Sequence, residues 1–187
     1  MSENKFKGTI RQARITPKGN LAIKYVAHNK EGGVVSNTEL TGKRDRPVHK
    51  DLITAFNVLK SHAAILGELY PKGKRVDAEY IRKRDVMLDT DLINYSITGF
   101  TYKGDDDEQS VTLHVEKELS KGGKITFDIP ATKIYNDAAY EFSGNLADDL
   151  EDAEVEVRRY MEGKYADSNQ LTLFVDEEGD LQEEEIG

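Results

Sequence analysis

The sequence predicts an α+β fold built from two tandem β-β-β-α units, over residues 1–70 and 92–164. A connector over 71–91 joins them, and an acidic, disordered tail over 165–187 follows. Three observations predict this. Apolar and polar residues alternate in short runs broken by Gly- and Asn-rich turns, the pattern of half-buried antiparallel strands. Each set of runs leads into a segment whose apolar residues recur at helical spacing. The pairs Gly32-Gly33 and Gly122-Gly123 sit in corresponding turns, offset by 90 residues, and the helices begin at a similar offset. An internal duplication is the expected origin, with one pseudo-symmetric sheet and helices on one face.

The first strand is expected over Phe6 to Thr16, ended by the turn Pro17-Lys18-Gly19-Asn20. Leu21, Ile23, Tyr25 and Ala27 then alternate with Lys24, Val26 and His28. Asn29 to Gly33 turns the chain into a third strand, Val34 to Leu40, completing an antiparallel meander. Thr41 to Lys50 reads as a basic loop. Leu52, Ala55, Phe56, Leu59, Ala63 and Leu66 trace one face of a helix that stops at Gly67. Tyr70 to Lys74 breaks the unit, and 75–91 fit no single period, leaving a strand pair and a connector both open.

In the second unit Ile93, Tyr95 and Ile97 alternate, and Phe100 and Tyr102 continue on the opposite phase. A bulge at Gly99 accounts for the switch. Gly104 to Glu108 turns into Val111, Leu113 and Val115, and Ser120 to Lys124 turns into Ile125, Phe127 and Ile129. Asn145 is expected to cap a helix carrying Leu146, Leu150, Ala153, Val157, Tyr160 and Met161 on its apolar face.

Composition narrows the chemistry. With 37 % apolar and 33 % charged residues among 187, a thin core and a heavily solvated surface are expected. The absence of cysteine excludes disulfides, thiolate metal sites and cysteine nucleophiles. No run approaches the ~18 apolar residues of a membrane span, and Met1 to Lys5 holds no signal-peptide core, so a cytoplasmic protein without membrane contact is expected. No phosphate loop, dinucleotide fingerprint, nucleophile elbow or zinc helix occurs, so no catalytic residue, metal or cofactor is assigned and no enzyme is expected. His28, His49, His62 and His114 fall on separate elements, with His28 and His114 at similar repeat positions. Asp105 to Glu108 lacks the spaced ligands of a calcium loop and reads as a solvated hairpin tip.

Charge is unevenly divided. Residues 1–87 hold 18 Lys/Arg against 9 Asp/Glu, whereas 88–187 hold 8 against 26. The basic half suggests a polyanion-facing surface. Its candidate nucleic-acid-binding residues are Lys24, Lys43, Arg44, Arg46 and Lys50, with Lys5, Lys7, Arg11, Arg14 and Lys18 in the wider basic set. Tyr25 shares the phase of Leu21 and Ile23 and is therefore expected in the core rather than on a base.

The segment Gln170-Leu171-Thr172-Leu173-Phe174 resembles the bacterial sliding-clamp-binding motif, Gln-Leu-(Ser or Asp)-Leu-Phe, at four of five positions. The resemblance implies a partner rather than a fold. By it, Gln170 anchors through its amide, and Leu171, Leu173 and Phe174 fill apolar subsites. A final edge strand is the competing assignment, since Leu171, Leu173 and Val175 alternate. Residues 176–187 are too charged to fold alone and resemble the acidic tails of single-strand DNA-binding proteins in composition only. The expected function is a non-enzymatic DNA replication or repair accessory protein, a phage-encoded one included. It would dock on a sliding clamp and bind single-stranded DNA through its basic half. An acidic inhibitor or DNA mimic and a structural scaffold are the alternatives.

Overall fold

A computed structural model describes residues 6, 8–31, 34–70, 92–105, 108–134 and 139–166. The ambiguous stretch 75–91, the Gly32-Gly33 turn and the Gln170–Phe174 motif with its acidic tail lie outside the described residues. The elements run β1 (Thr9–Ile15), β2 (Asn20–Glu31), β3 (Val34–Pro47), α1 (Lys50–Val58), α2 (Lys60–Leu66), β4 (Tyr95–Lys103), β5 (Ser110–Glu118), β6 (Lys124–Asp128), β7 (Thr132–Lys133) and α3 (Ser143–Met161). The fold is α+β. One antiparallel sheet has the order β3-β2-β1-β4-β5-β6, with β7 also paired to β5.

Alternation decides the faces. Ile10, Ala13, Leu21 and Ile23 of the first meander and Ile97, Phe100, Tyr102, Val111, Leu113 and Val115 of the second are all buried in one core. The helices complete it with Leu52, Phe56, Leu59, Leu146, Leu150, Val157 and Tyr160. Phe56 of α1 meets Phe100 of β4 edge-to-face at 5.8 Å, so the first unit's helix packs on the second unit's strand. Tyr25 and Phe6 join this side, with ring centroids 4.9 Å apart, as the phase of Tyr25 predicts.

Four boundaries differ from expectation. β1 is shorter than Phe6 to Thr16. The basic loop after Leu40 is strand as far as Pro47, paired to β2 through Thr41↔Lys24 and Lys43↔Ala22. An edge strand needs few apolar residues, so composition hid it. The single helix expected over 52–67 is two, because the Leu59 amide donates to Phe56 O three residues back (3.1 Å) and tightens the turn. α3 begins at Ser143 with buried Phe142 at its cap position, which places Asn145 inside the first turn.

The bulge at Gly99 is present as a register shift between Ile97 and Gly99. Gly99 faces Arg14 across the β1–β4 ladder, and a Cβ there would lie 2.0 Å from the Ala13 carbonyl oxygen. Gly99→Ala is therefore expected to destabilise the protein by about 2–4 kcal/mol, read as a lowered urea midpoint.

The described chain ends in a clamp on the helices. Lys164 Nζ reaches Asp51 Oδ2 at 2.6 Å and Glu156 Oε2 at 2.8 Å, joining the start of α1 to α3. Beside it Tyr165 bridges Val48, and the Ala166 amide donates to Pro47 O at 3.1 Å. The Lys164 hydrogen bond holds the Asp51 carboxyl below its usual 3.8, and hydrogen bonds to Asp51 and Glu156 raise the ammonium above 10.5. A depressed acid stabilises above its unfolded value and loses that contribution as pH falls through its folded one. A raised base loses its contribution as pH rises through its folded value. The clamp thus acts between those limits. Lys164→Met is expected to lower the thermal midpoint at pH 7, with the gap to the parent closing in acid. An equal gap at every pH would assign Lys164 to packing alone.

Candidate nucleic-acid interface

The face of the sheet opposite the core is polar. Pairing places Lys43, Ala22 and Arg14 in one row across β3, β2 and β1, and Thr41, Lys24 and Gln12 in the next. Arg14, Lys24 and Lys43 therefore surround Ala22 on a single surface. Among the described residues none of the three enters a salt bridge, and Lys24 and Lys43 are exposed. Beside Arg14 the surface is concave, a cleft of about 370 Å³ lined by Arg14, Thr16, Ala22, Thr98, Glu116 and Lys124. Glu39, opposite Val26, is an acid on this half of the face, and Glu116 lines the cleft with Arg14.

The five sequence-predicted cations do not gather in one place. Lys24 and Lys43 are joined by Arg14, while Arg44 and Arg46 follow along β3 past an irregular register, and exposed Lys50 opens α1. The Arg46 carbonyl accepts from the Tyr160 hydroxyl of α3, which fixes the edge strand against the helices. In the other half Lys124 and Lys133 are engaged, while exposed Lys103 and Lys121 enter no described salt bridge. Lys124 pairs with Glu116 at 3.1 Å and Lys133 with Glu108 at 2.8 Å, where the ammonium also holds the Glu108 carboxyl below its ordinary range. Arg11 is bound to Asp105 and the Gly104 carbonyl, so Asp105 and Glu108 serve ion pairs.

The same polar face carries two matching three-strand motifs. His28 of β2 contacts Thr9 Oγ1 through Nε2 (2.8 Å) and Asn37 Oδ1 through Nδ1 (2.8 Å). His114 of β5 contacts Thr101 Oγ1 through Nε2 (2.7 Å) and Asp128 Oδ1 through Nδ1 (2.7 Å). The register is also the same. Each threonine lies opposite the residue two before the histidine, Thr9↔Val26 and Thr101↔Thr112, and each histidine lies directly opposite its acceptor, His28↔Asn37 and His114↔Asp128. They differ in burial, His28 being exposed and His114 only 5 % exposed, and in the charge of Asp128.

A third histidine is in the core. His62 of α2 is wholly buried, 2.8 Å from the Tyr140 hydroxyl through Nδ1 and 3.1 Å from Asp149 Oδ2 through Nε2. Nε2–H donates to the carboxylate, leaving Nδ1 to accept from the tyrosine hydroxyl. Burial, with the Asp149 charge next, pushes the Tyr140 phenol up from its ordinary value and keeps it a donor. An acid, a base and a hydroxyl in line also describe a nucleophilic triad. Here the imidazole is sealed and the phenol stays protonated, so the geometry fastens α2 to α3. The sequence could not announce it, because the partners lie 78 and 87 residues away. His62→Ala removes a donor from a buried carboxylate and is expected to cost about 3 kcal/mol, measured by urea denaturation.

No group of three metal-ligating side chains occurs among the described residues, nor any helix long and apolar enough to cross a membrane. No protein-family model matches the chain, and comparison with curated proteins and with solved structures gives no match.

Proposed function

We propose that this chain is a non-enzymatic DNA replication or repair accessory protein of the cytoplasm. It holds single-stranded DNA on the polar face of its sheet and docks on a bacterial sliding clamp through Gln170, Leu171, Leu173 and Phe174. The observation that carries the DNA part is the group of Arg14, Lys24 and Lys43, three cations on one face outside any described salt bridge. Cations presented this way lower the cost of approach for a phosphate backbone and release its counterions. The clamp part rests on the five-residue resemblance. The two halves are read as divergent copies of one β-β-β-α unit, on the strength of the matching Thr–His–Asn and Thr–His–Asp registers.

A second reading has one observation of its own. On the helix side, a cleft of about 380 Å³ between α1 and α3 is lined by Asp51, Asp152 and Glu156 over Ala55, Val58 and Val155, with Arg159 at its edge and Lys164 paired to Asp51 and Glu156. Such a surface suits a basic partner, as an inhibitor or DNA mimic would require. Oligonucleotide binding separates the two. The DNA-holding protein is expected to bind an oligothymidylate at low salt, and Lys24→Ala with Lys43→Ala should reduce the slope of log K against log salt by about 1.4. No affinity at low salt, or affinity without a salt slope, overturns the DNA part. For the clamp part, a peptide of residues 165–180 is expected to bind the clamp, and Leu173→Ala with Phe174→Ala to abolish it. A peptide that does not bind removes that part alone.

A further inference from the structure

We infer that His28 is a stacking platform for one nucleobase of a bound single strand, held in place by Thr9 and Asn37. The inference rests on the DNA-binding reading of the polar face and adds the one contact that cations cannot supply. Both aromatic residues near the basic strands, Phe6 and Tyr25, turn to the helix side and are spent on packing. His28 is the described ring on the cationic half of the polar face. It stands four residues along β2 from Lys24, roughly 13 Å in an extended strand. Val26, between them on the same face, offers an apolar neighbour.

The hydrogen bonds decide what the ring can do. Nδ1–H donates to Asn37 Oδ1 and Nε2 accepts from the Thr9 hydroxyl, each at 2.8 Å. Both nitrogens are therefore occupied by strands on either side, while the residue as a whole stays exposed. What remains for a ligand is carbon edge and π-face. That surface recognises a flat apolar ring and accepts any base, in keeping with the sequence-tolerant stacking of single-strand binders. His114 makes the comparison internal to the molecule. With the same polar partners in the same register it is sealed, so the motif's structural duty does not require exposure.

The test measures binding of a labelled oligothymidylate of about 20 nucleotides and of an abasic strand of equal length and charge. His28→Ala is expected to weaken the thymidylate complex roughly 5- to 100-fold, leave the salt slope unchanged and have little effect on the abasic complex. His28→Phe, which keeps a flat ring and loses both hydrogen bonds, should bind within about threefold of the parent. A tight thymidylate complex of His28→Ala, or equal losses on both strands, overturns the platform. If the alanine variant does not fold, a weak thymidylate complex of folded His28→Phe overturns it as well. Failure of the parent to bind any oligonucleotide brings down the DNA-binding reading itself, whereas salt-dependent binding indifferent to His28 brings down the platform only.

Discussion

The close approach of two backbones at Gly99 is the constraint on which the single sheet depends. Among the described residues the two meanders meet along three paired positions, Gln12↔Thr101, Ala13↔Phe100 and Arg14↔Gly99. So short a ladder does not hold two units together unaided. It is reinforced from the helix side, where α1 packs on both α3 and β4 and the Asn57 side chain accepts the Ile97 amide at 3.2 Å. The first unit's helix thus covers the second unit's strand, and one hydrophobic core runs across the seam. A side chain at Gly99 would push β1 and β4 apart beside Ala13, itself a fully buried core residue.

Around this seam the halves share a plan and differ in charge. In the second, Glu116, Glu108 and Asp105 tie down Lys124, Lys133 and Arg11. In the first, the corresponding face offers Thr and Asn beside its cations, and an amide at Asn37 stands where the second half has the carboxylate of Asp128. On the strands that flank these histidine motifs, Lys124 and Lys133 therefore have counter-ions where Lys24 and Lys43 have none described. Formal charge alone would not have separated Lys24 and Lys43 from Lys124, since all three sit on strands.

Much of the fold was legible because strand alternation survives in the inward residues. Leu21, Ile23, Val111, Leu113 and Val115 announced their strands, and the phase change from Ile97 to Phe100 announced the bulge. Where one side of an element meets water, the signal fails. Thr41 to Pro47 forms an edge strand whose polar residues resemble those of a loop. The break at Leu59 was hidden for the opposite reason, since Leu59 is itself a core residue and the apolar period passes through it. Of the candidate interface, Lys24 and Lys43 could be named from charge, but their meeting with Arg14 depends on register between three strands. The contact of His62 with Asp149 and Tyr140 is set by helix packing, which no local pattern encodes.

The pinning of the last described residues gives whatever follows a short leash. Ala166 is tied to Pro47, so Gln170 cannot stand more than about 14 Å from that anchor, four residues at full extension. A partner gripping Gln170 would hold the folded body within one small-domain radius of its own surface, at a high effective concentration. Its orientation would be restricted too, because the leash leaves from the start of α1 rather than from a free end. Inserting residues between Ala166 and Gln170 would lengthen that reach and relax the restriction on orientation.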